Sequence, residues 1–192
     1  MNIPERHEII LLLIDLNGEP FRGKTNLHKS IYLTKEMDPD LGLPFEFKAH
    51  FYGPFSQQVS EEIDILENCG LIETSQVDMG RKDSFEVRQY VFKLTNAGLE
   101  AAKILREGYP EFCDRFNELL QKIRDTRFHQ NTKILATAAK VRLILTAESQ
   151  PMSSGNITAK ARELGWNINP SEINSALEVL QKTGLVKIIK AN

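Results

Sequence analysis

Residues 18–25 have the residue types of a phosphate-binding loop. The string Gly18-Glu19-Pro20-Phe21-Arg22-Gly23-Lys24-Thr25 matches the pattern G-x-x-x-x-G-K-[ST] at every fixed position. In such loops backbone N–H groups surround the phosphates, the lysine reaches the terminal phosphates and the threonine binds Mg²⁺. However, the apolar run before the string lies inside a helix-compatible segment, and no later strand ends in an aspartate suited to magnesium. We therefore predict a turn between two helices and keep nucleotide binding as a third alternative.

The histidines and cysteines do not form a catalytic or metal-binding pattern. No metal-ligand spacing links the four histidines and two cysteines, which are His7, His28, His50, His129, Cys69 and Cys113. We expect Cys69 on the buried side of its helix and Cys113 in an ordinary amphipathic helix, so that both thiols are inert. The sequence thus predicts a protein that is not an enzyme and that uses no cofactor and no metal.

Composition and charge predict a cytoplasmic globular protein with a basic C-terminal part. The chain has 192 residues, of which 41% are hydrophobic and 26% charged. The longest apolar run, residues 9–14, is too short to span a membrane, and two cysteines are too few for a disulfide framework. Residues 1–130 contain 16 Lys or Arg and 22 Asp or Glu, whereas residues 131–192 contain 8 and 4. The excess of +4 in the second segment favours an anionic partner there.

The first half of the chain is predicted to fold as helices backed by a short sheet. Periodicity and cap residues predict helices over residues 4–17, 24–37 and 56–70. Alternation of apolar and polar residues predicts a strand over residues 45–51, and residues 71–77 and 87–94 are predicted to form a hairpin. The order helix, helix, strand, helix, strand, strand is typical of a winged helix, in which the third helix contacts DNA and the hairpin is the wing.

The second half repeats this pattern. Helices are predicted over residues 132–147, 156–164 and 170–183, followed by a strand over residues 185–189. Gly70 aligns with Gly184 at an offset of 114, and Pro20 aligns with Pro151 at an offset of 131. The difference between the two offsets equals the length of residues 38–54, a segment that only the first copy contains.

The predicted fold class is therefore mainly α with small β-wings, as two tandem winged-helix-like modules joined by helices. The first module spans residues 1–107 and includes the inserted strand segment. A connecting helix spans residues 108–130, and the second module spans residues 131–192.

Three strings in the first module also resemble a known family. Residues 27–33 (Leu-His-Lys-Ser-Ile-Tyr-Leu), 50–56 (His-Phe-Tyr-Gly-Pro-Phe-Ser) and 70–73 (Gly-Leu-Ile-Glu) are similar to the signature of YwgA-like proteins. A more distant similarity is to the antitoxin-associated Panacea group. Over residues 5–107, about half of the chain, the resemblance implies a winged-helix fold without catalytic residues and relatives that act through protein partners.

Sequence-specific binding of double-stranded DNA, in transcriptional control, is the favoured function. In the second module Lys160 and Arg162 are expected to hold phosphates, and Ser171, Asn174, Ser175 and Lys182 to face DNA. In the first module the candidates are Ser56, Gln57 and Gln58 at the start of the third helix and Arg81 and Lys82 at the hairpin tip.

Several alternatives stay open. The third helix of the first module continues with Glu61, Glu62, Asp64 and Glu67, and carboxylates repel phosphates. This favours a protein-protein adaptor or antitoxin-like role for that module. Phe51 and Phe55 are expected in the core, with stacking on a base or ligand as the alternative. An apolar stripe in residues 111–125 predicts a homodimer interface, with packing of the two modules against each other within one chain as the alternative.

Overall fold

The computed structural model describes residues 2–18, 20–82, 85–128, 131–148 and 150–189, and for residues 81–82 and 85–87 it describes the backbone alone. Within these residues the helices are α1 (Arg6–Leu16), α2 (Lys24–Met37), α3 (Gln57–Asn68), α4 (Asn96–Gly108), α5 (Pro110–Arg124), α6 (Thr132–Ala147), α7 (Ser154–Glu163) and α8 (Pro170–Lys182). The strands are β1 (Phe21–Arg22), β2 (Ile72–Lys82) and β3 (Phe85–Leu94), and a 3₁₀ turn covers Pro39–Leu41. The prediction of a mainly α fold with a small β component is confirmed. No helix of the described residues has the length and apolar character needed to cross a membrane.

Helix α1 is the centre of the first hydrophobic core. Its six consecutive apolar residues, residues 9–14, are each at most 3% exposed. A helix that is apolar on all sides has to be enclosed, and α1 packs against α3, α4 and β3. At its start the Glu8 carboxylate accepts a 2.7 Å hydrogen bond from the Glu5 N–H, which pairs a donor that the helix itself leaves free.

The three strands form an antiparallel sheet in the order β1-β3-β2. β1 lies between α1 and α2 and pairs with β3, with Phe21 opposite Phe92. Periodicity missed β1 because two residues are too few to show an alternation. The predicted strand over residues 45–51 is wrong. Lys48 instead exchanges two 2.9 Å backbone hydrogen bonds with Phe55, so that the residues between them close into a loop.

The hairpin is longer than predicted. β2 and β3 pair from Ile72 opposite Leu94 to Lys82 opposite Phe85, with a register shift between Asp78 and Arg81. Gly80 lies in this shift with a φ of 87°, a conformation that glycine adopts without a steric penalty. Most of the predicted tip, residues 78–86, is therefore strand.

Helices α6, α7 and α8 lie where the sequence predicts three helices in the second half, and the repeat of the first module stays a prediction. α3 and α8 end alike: the Leu71 N–H donates to the Leu66 carbonyl at 2.9 Å, and the Leu185 N–H donates to the Leu180 carbonyl at 2.8 Å. Gly70 and Gly184, which precede the two donors, have φ values of 67° and 76°, as a Schellman motif requires.

The predicted strand over residues 185–189 is wrong, since no strand forms there. A β-rich segment becomes a strand only beside a partner, and the described residues bring none to this end of α8. The second helical triplet therefore lacks a wing within the described part of the chain.

The apolar stripe of α5 is buried inside the chain. Phe112, Phe116, Leu119 and Leu120 belong to the core around α1, whereas Ile123 belongs to a second core formed mainly by α6, α7 and α8, and all five are at most 5% exposed. The stripe cannot be the dimer interface that the sequence suggested, because intrachain packing already covers it. The competing expectation, that it packs the two halves together, agrees with the structure. The module boundaries at residues 107 and 130 stay predictions.

The start of α4 gives a test of how closely this helix approaches the backbone at Leu71. A Cβ on Gly98 would lie 2.0 Å from the Leu71 carbonyl oxygen, while the Gly98 N–H donates to Thr95 Oγ1 at 3.0 Å. We expect Gly98→Ala to lower the free energy of unfolding by at least about 1–3 kcal/mol, because the backbone must move to relieve the contact. Urea unfolding monitored by circular dichroism would measure the loss.

Gly108→Ala is the matched control in the same helix. A Cβ there has no neighbour within 4 Å, so its stability should stay the same or rise by about 0.4–1 kcal/mol. Equal losses in the two variants would contradict the close approach of Leu71 to α4.

Candidate interaction surfaces

Residues 50–55, here called the aromatic loop, are held between the two halves of the chain. The Lys29 amine of α2 donates a 2.6 Å hydrogen bond to the Pro54 carbonyl, and Trp166 Nε1 donates at 2.8 Å to the His50 carbonyl. Gly53 has a φ of 93°, and a Cβ on it would lie 2.9 Å from Lys140 Cγ of α6. Side chains from both helical triplets thus fix the loop.

The aromatic loop turns two aromatic rings into solvent. Phe51 is 69% exposed and Tyr52 is 61% exposed, and their ring centroids lie 5.0 Å apart in an edge-to-face arrangement. The prediction that Phe51 is a core residue is wrong, because the turn at Gly53 directs it outward. Phe55 is half-buried and stacks on His28, with ring centroids 4.7 Å apart.

The neighbouring groups of α2 are buried and electrostatically perturbed. Burial, and secondarily Lys29, lowers the pKa of His28 from 6.5 to about 3, so its ring is neutral. His28 Nδ1 accepts from the Ser56 N–H at 3.4 Å, which leaves the proton on Nε2, 3.3 Å from Ser60 Oγ. Burial and the nearby Lys140 lower the pKa of Lys29 to about 7. Because its amine is buried and occupied by Pro54, Lys29 serves to position the loop.

Helix α3 exposes an acidic surface. Its buried side is formed by Val59, Ile63 and Leu66. The opposite side, here called the α3 face, carries Gln57, Glu61, Asp64 and Asn68, all exposed. Glu67 is also exposed, and Glu62 lies 4.0 Å from His7. The carboxylates therefore lie where a recognition helix would meet phosphates, which opposes DNA binding through α3.

Two of the three predicted DNA-contacting residues at the start of α3 have other roles. Ser56 is 1% exposed, and its Oγ accepts from the Val59 N–H at 3.4 Å as the helix cap. The Gln58 side chain accepts from the Glu46 N–H at 2.8 Å. Gln57 is exposed, and it donates to the Glu61 carboxylate at 3.3 Å. Ser56 is therefore a buried helix cap, and the prediction that its side chain contacts DNA is wrong.

Helix α8 exposes a different surface. Ser171, Asn174 and Lys182 are exposed and Ser175 is half-buried, on the side opposite Ile173, Ala176 and Leu180. This side, with Glu178, is here called the α8 face.

The charges on the α8 face are compensated or positive. The Glu178 carboxylate lies 2.6 Å from the Arg127 guanidinium and 3.8 Å from the Lys182 amine. Two cations thus surround the carboxylate on this face.

Lys160 and Arg162 of α7, the two predicted phosphate contacts, differ in whether a carboxylate already pairs with their charge. Lys160 forms ion pairs with Glu163 at 3.2 Å and with Glu148 at 3.5 Å, and these carboxylates raise the pKa of its amine. Arg162 is exposed, and no ion pair holds its guanidinium in the described part of the chain. Arg162 is therefore the cation of the two that an anion could engage directly.

Arg81 and Lys82 end β2, where they pair with Glu86 and Phe85 through the backbone. Their side chains lie outside the described residues, so this prediction stays untested.

The string at residues 18–25 does not fold as a phosphate loop. The residues before it form α1, whereas a phosphate loop follows a strand. Phe21 and Arg22 form β1, and the Gly23 N–H donates to the Tyr90 carbonyl at 2.8 Å. The Lys24 amine lies 4.7 Å from the centre of the Tyr90 ring. The predicted turn between helices is found, with a short strand inside it.

The cysteines and histidines come into no reactive arrangement in the described residues. Cys113 is buried and burial raises the pKa of its thiol, whereas Cys69 is exposed, contrary to the expectation that it faces the core. No group of three or more His, Cys, Asp or Glu side chains in the part of the chain described here could hold a metal ion.

Sequence reasoning missed three residues of these surfaces. Arg127 lies between two helices, with no periodicity to mark it. Trp166 is 3% exposed yet binds the aromatic loop, and Lys140 lies 5.3 Å above its ring. The single tryptophan of the chain was a usable signal, since a buried indole N–H needs an acceptor.

The comparison with known proteins supports the resemblance to YwgA-like proteins. Over 124 residues the chain is 26% identical to the uncharacterized protein YwgA of Bacillus subtilis (strain 168), and the match covers 65% of this chain and 69% of YwgA. The match is longer than the 103 residues on which the sequence resemblance rested. No family model matches the chain.

The lowered pKa of Lys29 predicts a pH-dependent stability. In the unfolded chain the amine binds a proton below its ordinary pKa of 10.5, whereas the folded chain does so only below about 7. Between these values the unfolded state binds more protons, so the free energy of unfolding rises as the pH rises. We expect Lys29→Met to flatten the rise between pH 7.5 and 9 by up to about 1.4 kcal/mol per pH unit.

Urea unfolding at several pH values would measure this slope. Lys103→Met, which replaces an exposed lysine of α4, should give a profile parallel to that of the wild type. A parallel profile for Lys29→Met as well would mean that Lys29 keeps an ordinary pKa in the folded protein.

Proposed function

We propose that this protein is a DNA-binding regulator in which a winged-helix module, residues 6–94, carries a second helical triplet that contacts DNA through α8. The first part is supported by topology. The order helix, strand, helix, helix, strand, strand with the sheet order β1-β3-β2 fits a winged helix whose wing is the β2–β3 hairpin.

The contrast between α3 and α8 carries the second part. The two helices occupy equivalent positions in the repeat and end in the same hydrogen-bonded turn. The α3 face carries exposed carboxylates, whereas on the α8 face two cations surround the only carboxylate. A helix that enters the major groove needs polar side chains for the base edges and no unpaired negative charge near the phosphates. The α8 face satisfies both requirements.

A protein-binding role for the first module is a second candidate, and the exposed aromatic pair favours it. Phe51 and Tyr52 lie on the loop that leads into α3, and aromatic residues are enriched at the centres of protein interfaces. The acidic α3 face would suit a partner with a basic surface. An adaptor or antitoxin-like role, which the distant similarity to the Panacea group implies, belongs to this candidate.

For DNA binding we expect different effects from Asn174 and Arg162. Asn174→Ala should relax sequence preference at a cost of about 1–3 kcal/mol on the preferred site, because a bidentate base contact is lost. Arg162→Gln should weaken binding to all sequences and reduce the slope of log K against log salt by about 0.9, because one phosphate contact is lost. Fluorescence anisotropy with a site selected from random duplexes would measure both.

The control is Glu61→Gln with Asp64→Asn on α3, which should leave DNA affinity and its salt slope unchanged. If this double variant strengthens binding while Asn174→Ala and Arg162→Gln leave it unchanged, α3 is the DNA-contacting helix. Binding to no duplex at low salt would overturn the DNA-binding proposal.

For the adaptor candidate we expect Phe51→Ser with Tyr52→Ser to abolish capture of a protein partner from a nuclease-treated native lysate while stability stays the same. The rings are mostly exposed, so their loss removes little folding energy. Phe55→Ser should instead destabilise the protein, because Phe55 packs on His28. Unchanged capture by the double variant would exclude the aromatic pair as the contact.

A further inference from the structure

A cleft of about 650 Å³ opens beside the sheet, between the end of α1, the start of α2, the hairpin and α5. Its lining includes Gly18 and residues 20–22, part of the string that resembles a phosphate loop. The volume is that of a small-molecule site. No residue of the aromatic loop, the α3 face or the α8 face lines this cleft.

Two guanidinium groups line the cleft, and neither forms an ion pair with a carboxylate in the described part of the chain. Arg22 is exposed on β1, and no hydrogen bond or ion pair holds its side chain there. The Arg124 guanidinium donates to the Leu16 carbonyl at 2.6 Å, to Asn117 Oδ1 at 2.9 Å and to Gln121 Oε1 at 3.0 Å. Burial lowers the pKa of Arg124 despite the neighbouring Asp125, so its charge is poorly hydrated. An anion between the two arginines would compensate both charges.

A buried acceptor lines the same cleft without a partner. Asn26 is 7% exposed, and its Nδ2 donates to the Arg22 carbonyl at 3.0 Å. Its Oδ1 is fully buried and accepts no hydrogen bond from any residue that the structure describes. Buried polar atoms are nearly always paired, so an unpaired one needs an explanation. Ser30, also 7% exposed, lies one turn further along α2 and lines the cleft as well.

The N-terminus of α2 adds to the positive character of the cleft. α2 begins at Lys24 without a side-chain cap, so the positive end of its dipole lies beside Asn26, where anions are stabilised. The Gly23 N–H is bound to Tyr90, which leaves the arginines as the main anion-binding groups.

We propose that this cleft binds a small hydroxylated anion, a phosphate ester or a carboxylate, whose charge lies between Arg22 and Arg124 and whose hydroxyl group donates to Asn26 Oδ1. Both arginines offer the planar donors that suit phosphate and carboxylate oxygens. The Asn26 acceptor adds a requirement for a hydroxyl donor on the ligand, which sulfate, fully ionised at neutral pH, lacks. The site differs from a phosphate loop because side chains replace the ring of backbone N–H groups.

The test is a titration of the full chain, isotope-labelled, followed by amide chemical shifts and by calorimetry. The probes are ribose 5-phosphate, adenosine 5′-monophosphate and gluconate, compared with ribose and with sulfate. We expect saturable binding of at least one hydroxylated anion, with shifts concentrated in residues 20–30 and 117–124. Ribose should not bind, and sulfate should bind more weakly than the hydroxylated anion. The preferred anion tells phosphate esters from carboxylates.

Arg22→Gln should weaken binding roughly 10- to 100-fold, because one charge-assisted contact is lost. The exposed Arg22 side chain forms no hydrogen bond or ion pair within the described residues, so the variant should keep the wild-type spectrum elsewhere. Lys103→Gln, which removes one exposed positive charge of α4 away from the cleft, should leave the affinity unchanged.

Three results would overturn the proposal. One is the absence of saturable shifts at about 5 mM of every probe, where even a millimolar complex would be mostly formed. Another is an equal loss of affinity in Arg22→Gln and Lys103→Gln, which would indicate attraction by net charge alone. The third is binding of sulfate as tight as that of the hydroxylated anions, which would indicate an adventitious ion only.

Discussion

The hydrogen bond from the Lys29 amine to the Pro54 carbonyl is buried, and several other contacts depend on it. Lys29 is 2% exposed, and a buried amine is tolerated only when it is paired. The bond fixes Pro54, two residues before Ser56, the cap of α3. It also holds the aromatic loop at the position where the His50 carbonyl meets Trp166. One side chain of α2 therefore sets the entry of α3 and the contact with the second helical triplet.

Helices α3 and α8 share their buried apolar positions and differ in their exposed ones. With the offset of 114, Gln57, Glu61 and Asp64 correspond to Ser171, Ser175 and Glu178. The buried positions keep the same apolar character, Val59 and Leu66 in α3 and Ile173 and Leu180 in α8. Packing restricts the side of a helix that faces the core, whereas the outer side is free to change. Only the outer residues can therefore distinguish a DNA-binding helix from a protein-binding one.

The parts of the fold that local signals encode could be predicted from the sequence. Capping rules predict that a helix begins after Asn169 and that two helices end before Gly70 and Gly184. The structure has one helix start and two helix ends at these positions. The errors arose where a neighbour decides the outcome. Residues 45–51 and 185–189 have β patterns but no partner strand among the residues that the structure describes, and β1 forms from two residues because β3 lies beside it.

The same distinction between local signals and neighbouring elements applies to the candidate site residues. The outward positions on α8 could be predicted, since helical periodicity fixes them. Ser56 could not be recognised as a buried cap, nor Phe51 as exposed, because both depend on the loop that Lys29 and Trp166 hold.

The charge balance of the second segment also changes once the contacts are known. Its excess of +4 suggests four cations available to an anionic partner. Arg142, however, donates to Glu36 of α2 at 2.8 Å, and Lys140 lies half-buried above Trp166. The carboxylates of the segment lie beside Lys133, Lys160 and Lys182. Among its described residues the exposed cations outside ion pairs are therefore Arg162 and Lys187. Two phosphate contacts would give a salt slope of roughly −1.8, half the value that four would give, so recognition by this segment must depend on the polar groups of α8 more than on charge.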